Sequence, residues 1–160
     1  MSTVRFLMLL SLATWVGGII FFAFVLAPTV FYPGILPSRQ LAGAVVARSL
    51  AALHWIGLGC GIVFLFASMT DSQVMTGRAG PLAPRNVLVY AMILLTLISM
   101  FVISTGMLVL RNDMVNIDSL PHDDQRRVEF NRLHRWSTRL EAAVLVLGLA
   151  VIFLTSRRLS

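Results

Sequence analysis

Four stretches of the chain contain no Lys, Arg, Asp or Glu, and they alternate with shorter polar segments. They cover residues 6–27, 49–70, 87–110 and 142–156. The first three contain the ~20 apolar residues that a helix needs to cross the hydrocarbon core of a bilayer. Because backbone groups in lipid must be hydrogen-bonded internally, helices are the expected spanning form. The pattern therefore predicts an all-α integral membrane protein with four transmembrane helices.

The residues between these stretches set the expected helix bounds at 3–27, 39–70, 86–111 and 120–156. Pro28 and the Phe31-Tyr32-Pro33-Gly34 turn are expected to end the first helix, and the Gly- and Pro-rich segment 71–85 separates the second helix from the third. The short connection between the first two helices favours antiparallel neighbours. We therefore expect a single domain, 1–160, folded as an up-down-up-down bundle.

The fourth helix is expected to begin outside the lipid. Asp118 or Ser119 can act as its N-cap, with Pro121 in the first turn and Asp123 and Asp124 at the positive end of the helix dipole. Its first turns mix charged and apolar residues, so we expect them to lie at or above the membrane surface.

The composition excludes several classes of protein. The chain is 58% apolar and 12% charged, whereas soluble domains are about 45–50% apolar and about 25% charged. A soluble fold of this size would leave a very large apolar patch exposed. This excludes a soluble enzyme, a disulfide scaffold, a disordered tail and a coiled coil. No nucleophile–base pair or phosphate-binding loop is present in the sequence, so we expect no enzymatic activity.

The charge fits a bilayer partner better than a nucleic acid. The net charge is +6, and all 13 basic residues are Arg, mostly at the ends of apolar stretches, as in membrane anchors. Eight Arg fall on the side of the 1–2 and 3–4 connections and five on the side of the termini, which favours cytoplasmic connections. The first apolar stretch exceeds the 7–15 residues of a signal-peptide core, so we expect a retained helix. The expected location is the bacterial inner membrane.

Ionisable side chains inside membrane helices are candidates for function. Arg48 and His54 lie on the second predicted helix, Arg139 and Glu141 lie on the fourth, and His134 immediately precedes the lipid-embedded part of the fourth. Both helices begin on the same side of the membrane. These residues are therefore expected to form a polar cluster between the two helices.

Spacing and depth make this prediction more specific. One stripe on the fourth helix follows a spacing of four, three, four and three residues, and Ser137 borders it. Its members are His134, Thr138, Glu141, Leu145 and Gly148. Such a stripe is expected to face the bundle. If Arg48 and Arg139 mark one interface level, His54 lies about 9 Å and Glu141 about 3 Å below it. His54 and Glu141 are therefore expected to meet, directly or through water.

Three roles for the cluster remain open at this point. It can be structural, with Glu141 paired to Arg48, Arg139 or His54. It can bind a proton or a cation. His54 and His134 can ligate haem b, but their expected heights differ by roughly 16 Å. We therefore favour the expectation that the protein binds no cofactor. The same two histidines are weak candidates for metal ligands.

Two further sets of residues could bind a metal. A methionine recurs every seven residues on the third helix, at Met100, Met107 and Met114. Thioethers suit Cu(I), but residues seven apart are separated by about 10.5 Å along a helix, so packing is favoured. The run His122-Asp123-Asp124 also offers ligands, although helix capping explains its two acids. No metal site is therefore expected.

Four glycines are candidates for helix packing. Gly57 and Gly61 share a face with His54 and form a Gly-x-x-x-Gly pair, and Gly17 and Gly18 are adjacent on the first helix. Small residues let helices approach closely. The contact can lie within the bundle or between subunits, so a homo-oligomer or a larger membrane complex remains open.

Several positions resemble a known family. They are Trp15-Val16-Gly17-Gly18, Phe21-Phe22, Pro28, His54, Phe130, Leu133-His134, Ser137 and Glu141. The pattern Phe-x-x-x-His-x-x-Ser, with a polar residue seven after the His, resembles the transmembrane protein 205-like family, which includes bacterial domains of unknown function. Animal members of that family have Asn where this chain has Glu141. The Trp-x-Gly-Gly start is also similar to the copper-resistance D membrane domain.

The resemblance implies a four-helix membrane protein, and animal members of the first family are associated with resistance to platinum drugs. The copper-resistance similarity would imply copper handling. Together with the residues described above, the resemblance to the transmembrane protein 205-like family leads to the hypothesis of a non-enzymatic protein with a structural, accessory or interaction role. A carrier or resistance protein for a metal ion or small solute is the alternative. A b-type haem electron carrier is the second alternative.

Overall fold

The computed structural model describes residues 2–113, 121 and 124–159, and four long helices account for most of them. The helix bounds are α1, Ser2–Phe21 and Ala27–Val30 joined by π-helical Phe22–Leu26; α2, Arg39–Thr76; α3, Pro84–Ile98 and Thr105–Asp113 joined by π-helical Ser99–Ser104; and α4, Gln125–Leu159. All four are long and apolar enough to cross a membrane. The described residues include no strand. The predicted all-α fold with four spanning helices is confirmed.

α1 passes Pro28 and continues to Val30, so the part of the prediction that placed its end at Pro28 is wrong. The helix ends instead where the predicted turn begins, at Phe31. A proline inside a helix removes one hydrogen bond, and its ring clashes with the carbonyl four residues earlier. Here the π-helical turn Phe22–Leu26 immediately precedes the proline segment. A π turn changes the register of the carbonyls, so the helix accommodates the proline. The chain then turns at Gly34, whose φ is 88°.

α2 extends six residues beyond the expected end at residue 70. It begins after Ser38, whose Oγ accepts a hydrogen bond from the Leu41 amide at 3.2 Å. It ends at Thr76, because Gly77 adopts a left-handed φ of 70° and its amide bonds to the Gln73 carbonyl. Polar residues fill the last turns, so hydropathy alone placed them in a loop.

The start of α4 also differs from the prediction. The helix begins at Gln125, and Pro121 precedes it without being helical. The Asp124 carboxylate accepts a hydrogen bond from the Arg126 amide at 2.9 Å, which is the geometry of an N-cap. Asp124 thus has the capping role expected of Asp118 or Ser119. Those two residues and Asp123 lie outside the described residues.

Each helix packs against two neighbours. α1 contacts α2 and α4, and α3 contacts α2 and α4, as an antiparallel four-helix bundle requires. The core is built from buried side chains of all four helices, including Met8, Leu12, Trp15, Phe64, Val89, Met92, Val144 and Val151. Large apolar residues on the outer faces are exposed, such as Phe24 and Phe66 at 71% each. These faces suit contact with lipid.

Glycines on α2 accommodate the indole of Trp15. A Cβ atom on Gly57 would lie 2.7 Å from Trp15 Cε2, and one on Gly61 would lie 2.9 Å from Trp15 Cζ3. Gly18 is also a packing position, since its Cβ would lie 2.8 Å from Leu53 Cδ1. Gly17 is not, because a Cβ there meets no described atom within 4 Å. Gly17 occupies the opposite side of α1 from the packed face, which sequence adjacency to Gly18 did not reveal.

Candidate functional site

The predicted contact between His54 and Glu141 is present. His54 Nε2 lies 2.7 Å from Glu141 Oε1. The His54 side chain is 2% exposed and the Glu141 side chain is 15% exposed. The pair therefore joins α2 to α4 inside the bundle, through a hydrogen bond of the length typical of charge-assisted pairs.

This contact corrects the assumed depth of the two arginines. Arg48 lies six residues from His54, about 9 Å along α2, and Arg139 lies two residues from Glu141, about 3 Å along α4. Because His54 and Glu141 meet, Arg48 and Arg139 occupy different levels, separated by about 6 Å. Both arginines are exposed, and the Arg139 guanidinium lies 5.5 Å from the centre of the Trp136 ring.

Four predicted members are not part of the site. Arg48, His134, Thr138 and Arg139 are all exposed. The Thr138 hydroxyl donates to the His134 carbonyl of its own helix at 3.1 Å. Of the seven predicted residues, the structure therefore brings His54 and Glu141 together, with Ser137 buried one turn away on α4.

The buried stripe of α4 differs from the predicted stripe. Its buried positions are Ser137, Val144, Gly148, Val151 and Thr155. With the partly buried Glu141 they form a 4-3-4-3-4 series that faces the bundle. The predicted series through His134 and Thr138 shares Glu141 and Gly148 with this stripe but is rotated at its N-terminal end. A Cβ atom on Gly148 would lie 2.6 Å from Val16 Cγ2 of α1, which explains why this face packs inward.

The His54 ring has one partnered and one unpartnered nitrogen. Nε2 contacts Glu141, whereas buried Nδ1 has no hydrogen-bond partner in the described part of the chain. One proton on the pair can lie on either side of the contact. Nε2–H donates to the carboxylate in one form, and a protonated carboxyl donates to Nε2 in the other. The geometry therefore provides a binding position for one proton within the bundle.

A second buried polar cluster lies at the other end of the bundle and was not predicted. We call it the Arg85 network, and its members are Ser68, Asp71 and Ser72 of α2 with Arg85 and Asn86 of α3. Arg85 is 4% exposed and Asn86 is 0% exposed. Ser68 Oγ donates to Asn86 Oδ1 at 2.6 Å, and Asn86 Nδ2 donates to the Gly80 carbonyl at 3.1 Å.

The Arg85 guanidinium connects the two helices and the connection between them. Its Nη2 donates to the Ser68 carbonyl at 3.1 Å and to Ser72 Oγ at 3.2 Å, and it lies 3.5 Å from Asp71 Oδ2. Arg5 of α1 reaches the other Asp71 oxygen at 3.4 Å. Three helices are therefore joined at this end by charged and backbone hydrogen bonds.

The family comparison covers most of the helices that build both clusters. Residues 10–116 match the family described as Domain of unknown function (DUF4149). The chain belongs to this family. The match includes His54 and the Arg85 network, and it ends before α4 and Glu141. No curated protein and no solved structure matches the DUF4149 chain.

The match agrees with the expectation of a domain-of-unknown-function membrane protein. The match does not test the resemblance to the transmembrane protein 205-like family or to the copper-resistance D domain. Both resemblances stay predictions. A weak signal for the Arg85 network was present in the DUF4149 sequence. Ser68 and Ser72 are four residues apart, beside Asp71, and Arg85-Asn86 follows Pro84 at a helix start. The sequence interpretation assigned residues 71–85 to a loop, so the helical spacing of Ser68 with Asp71 and Ser72 was not recognised.

The candidate metal ligands remain dispersed. Within the described ranges, no group of three or more His, Cys, Asp or Glu side chains could hold a metal ion. Met100 and Met107 lie on α3, seven residues apart and on different segments of the helix. Met114, His122 and Asp123 lie outside the described residues.

Proposed function

We propose that this DUF4149 protein is a non-enzymatic structural or accessory component of a multi-pass membrane assembly. The observation that carries the proposal is the 2.7 Å contact of His54 Nε2 with Glu141 Oε1. In this role the pair fixes α4 to α2. The first three helices are the part matched by the family, so the pair also attaches the segment that follows this part.

The small size of the polar site supports an accessory role over transport. The pair consists of two side chains, and Arg48, His134, Thr138 and Arg139 are exposed instead of lining it. A hydrogen-bonded pair buried between helices engages both side chains, here through His54 Nε2 and Glu141 Oε1, and gives a defined helix rotation. No cofactor is part of this proposal, because His54 is engaged by Glu141 and His134 lies on the exposed side of α4.

A carrier of protons or small cations is the second candidate. The observation that favours it is the partial exposure of Glu141, 15% of its side chain, which would give an ion access to the carboxylate. Ionisable residues within the membrane commonly mark ion pathways. A transmembrane protein 205-like resistance role would belong to this candidate. For either one, we propose the bacterial inner membrane with the connections α1–α2 and α3–α4 on the cytoplasmic side.

Glu141→Gln separates the two candidates, because Gln keeps the hydrogen-bond acceptor for His54 but cannot ionise. For an accessory protein, the free energy of unfolding of the variant in detergent should lie within about 1 kcal/mol of that of the unmodified chain. The variant should also copurify with the same proteins. Glu129→Gln, an exposed acid on the same helix bonded to Arg132, is the matched control. Proteoliposomes of both variants and of the unmodified chain should show equal internal pH after an imposed gradient.

Proton or cation flux that the unmodified chain supports and Glu141→Gln abolishes would reject the accessory role and establish the carrier. A Soret band that disappears in His54→Ala would instead establish haem binding. Absorbance and metal content of the purified protein are therefore measured on the same samples before reconstitution.

A further inference from the structure

We propose that Ser99 is the third polar member of the His54–Glu141 site, and that one bound water molecule bridges the Ser99 hydroxyl to His54 Nδ1. The inference rests on the site proposed above. Ser99 is 0% exposed and His54 is 2% exposed. Neither Ser99 Oγ nor His54 Nδ1 has a hydrogen-bond partner among the residues that the structure describes.

The register of the helices places Ser99 at the level of the pair. Gly61 of α2 packs against Ile93 of α3, since a Cβ on Gly61 would lie 3.0 Å from Ile93 Cδ1. From this contact, His54 lies seven residues away along α2 and Ser99 lies six residues away along α3. At 1.5 Å per residue these offsets are about 10.5 and about 9 Å. α2 and α3 are antiparallel, so both offsets run toward the same end of the bundle.

A second contact gives the same level independently. A Cβ atom on Gly148 of α4 would lie 3.3 Å from Met92 Cε of α3. Glu141 and Ser99 are each seven residues from this contact, in the same direction across the bundle. Seven residues are close to two helical turns, so Ser99 keeps the inward face of Met92 and Glu141 keeps that of Gly148.

The inward face of α3 supports this placement. Val89, Met92, Thr96, Ser99 and Ile103 are all buried, and their 3-4-3-4 spacing defines one stripe. Ser99 is also the first residue of the π-helical segment of α3, which both α2 and α4 contact. π segments interrupt regular helical hydrogen bonding and recur at functional sites.

A water molecule resolves the hydrogen bonding of both orphaned atoms. Leaving a buried polar atom unpaired is destabilising, and buried waters typically bond to such atoms. No direct hydrogen bond joins Ser99 Oγ to His54 within the described helices. A water molecule can bridge two buried polar groups that lie beyond direct hydrogen-bond reach.

The proposed bridge serves both proton positions on the pair. When Nε2–H donates to Glu141, Nδ1 is an acceptor and the water donates to it. When the Glu141 carboxyl donates to Nε2, Nδ1–H donates to the water. A serine hydroxyl can accept or donate in turn. Ser99 therefore acts as a positioning residue for the His54 ring, and it joins α3 to the contact between α2 and α4.

The test uses the full chain in lipid nanodiscs with ring-¹⁵N histidine, and His54→Gln assigns the His54 signals. In the unmodified chain, we expect Nδ1 to have the shift of a hydrogen-bonded nitrogen and a cross-peak to water protons. Ser99→Ala should abolish both Nδ1 signatures, and Ser99→Thr should restore them because it restores the hydroxyl. The Nε2 shift, which reports the bond to Glu141, should respond to Glu141→Gln in every background.

Thr155→Val is the matched control, because Thr155 Oγ1 is also buried without a described partner but lies 14 residues, about 21 Å, from Glu141 along α4. It should leave the His54 signals unchanged. Nδ1 signatures that persist in Ser99→Ala would overturn the inference, as would a Ser99-dependent signal without a water cross-peak, which indicates a direct bond. An Nε2 shift insensitive to Glu141→Gln would reject the pair itself and is therefore distinguishable.

Discussion

The His54–Glu141 pair and the Arg85 network lie about 21 Å apart along α2, 14 residues at 1.5 Å each, and they satisfy their polar atoms in different ways. The pair is one bond between two side chains. The network includes bonds to the backbone carbonyls of Ser68 and Gly80 as well as to side chains. Both are buried between helices, yet the pair can be removed as a unit and the network cannot.

This difference bears on how each region contributes to the protein. Replacing both members of a side-chain pair by apolar groups leaves nothing unpaired, so its cost is small. A network donor also bonds to a backbone carbonyl that no substitution can delete, and its loss leaves the buried side chains around it with fewer hydrogen bonds. The Gly80 carbonyl keeps its bond from the Ala83 amide. We therefore expect the Arg85 network to dominate stability, which leaves the His54–Glu141 pair freer to have a specific role.

The largest effect is expected for Asn86→Leu. It leaves the buried Ser68 hydroxyl without its Asn86 bond, at about 1–3 kcal/mol. The Gly80 carbonyl keeps its bond from the Ala83 amide, so losing the Asn86 bond there costs about 0.5–1.5 kcal/mol, and the total loss of unfolding free energy should be about 1.5–4.5 kcal/mol. Arg5→Gln is the control, because the Arg5 side chain is 31% exposed and an exposed ion pair contributes about 0–1 kcal/mol. SDS-induced unfolding in mixed micelles measures both. Equal losses would show that the network is not a cooperative unit.

His54→Leu tests whether the pair is separable. The single substitution leaves the Glu141 carboxyl unpaired and should cost about 1–3 kcal/mol. Adding Glu141→Leu should recover most of that loss, because the unpaired carboxyl is then gone and the Ser99 hydroxyl is the one polar side-chain group of the proposed site that remains. The same unfolding assay, run as a double-mutant cycle, gives the coupling free energy. If the double variant loses as much unfolding free energy as the sum of the two single variants, the pair cannot be removed as a unit.

Gly57→Ala probes the apolar layer between the two polar regions. The new Cβ would lie 2.7 Å from Trp15 Cε2, and overpacking of this kind costs about 1–3 kcal/mol. Gly59→Ala is matched in chemistry, and its Cβ meets no described atom within 4 Å. It should be neutral or stabilise by up to about 1 kcal/mol through helix propensity. Thermal unfolding of the two variants side by side distinguishes packing from propensity.

The smallest effect is expected outside the membrane, at Asp124. The hydrogen bond from the Arg126 side chain, followed by that from the Arg126 amide, lowers the pKa of the Asp124 carboxyl. The stabilisation is therefore present above the unfolded pKa of about 3.9 and is lost as the pH falls through the lower folded value. The protection of the first-turn amides of α4, which is the slowing of their exchange relative to the intrinsic rate at the same pH, should therefore fall on acidification.

Asp124→Asn provides the control for this pH effect. Asn remains a good N-cap, so the first turn should stay protected near neutral pH, and the acid-induced loss of protection should disappear. The buried pair and network should show unchanged exchange in this variant. Acceleration of exchange around His54 would mean that the helix start and the pair are coupled.

Local hydropathy determined the four spanning helices, because transfer into lipid adds up along each segment without reference to its neighbours. The four spans also imply an antiparallel bundle, in which a rise of 1.5 Å per residue sets the height of each side chain. These heights allowed His54 and Glu141 to meet. Helix ends were less predictable. Pro28 lies within α1, and the polar last turns of α2 remain helical, because a π turn and a glycine cap decided these ends.

Tertiary packing decided which way each helix faces. Two stripes of α4 share Glu141 and Gly148, and the packing of the helix in the bundle selects the one that also buries Ser137, Val144, Val151 and Thr155. Rotation of a helix by a fraction of a turn leaves its hydropathy unchanged but exchanges its buried and exposed polar residues. The same holds for the Arg85 network and for Ser99, whose polar atoms acquire a common location only when three helices pack together.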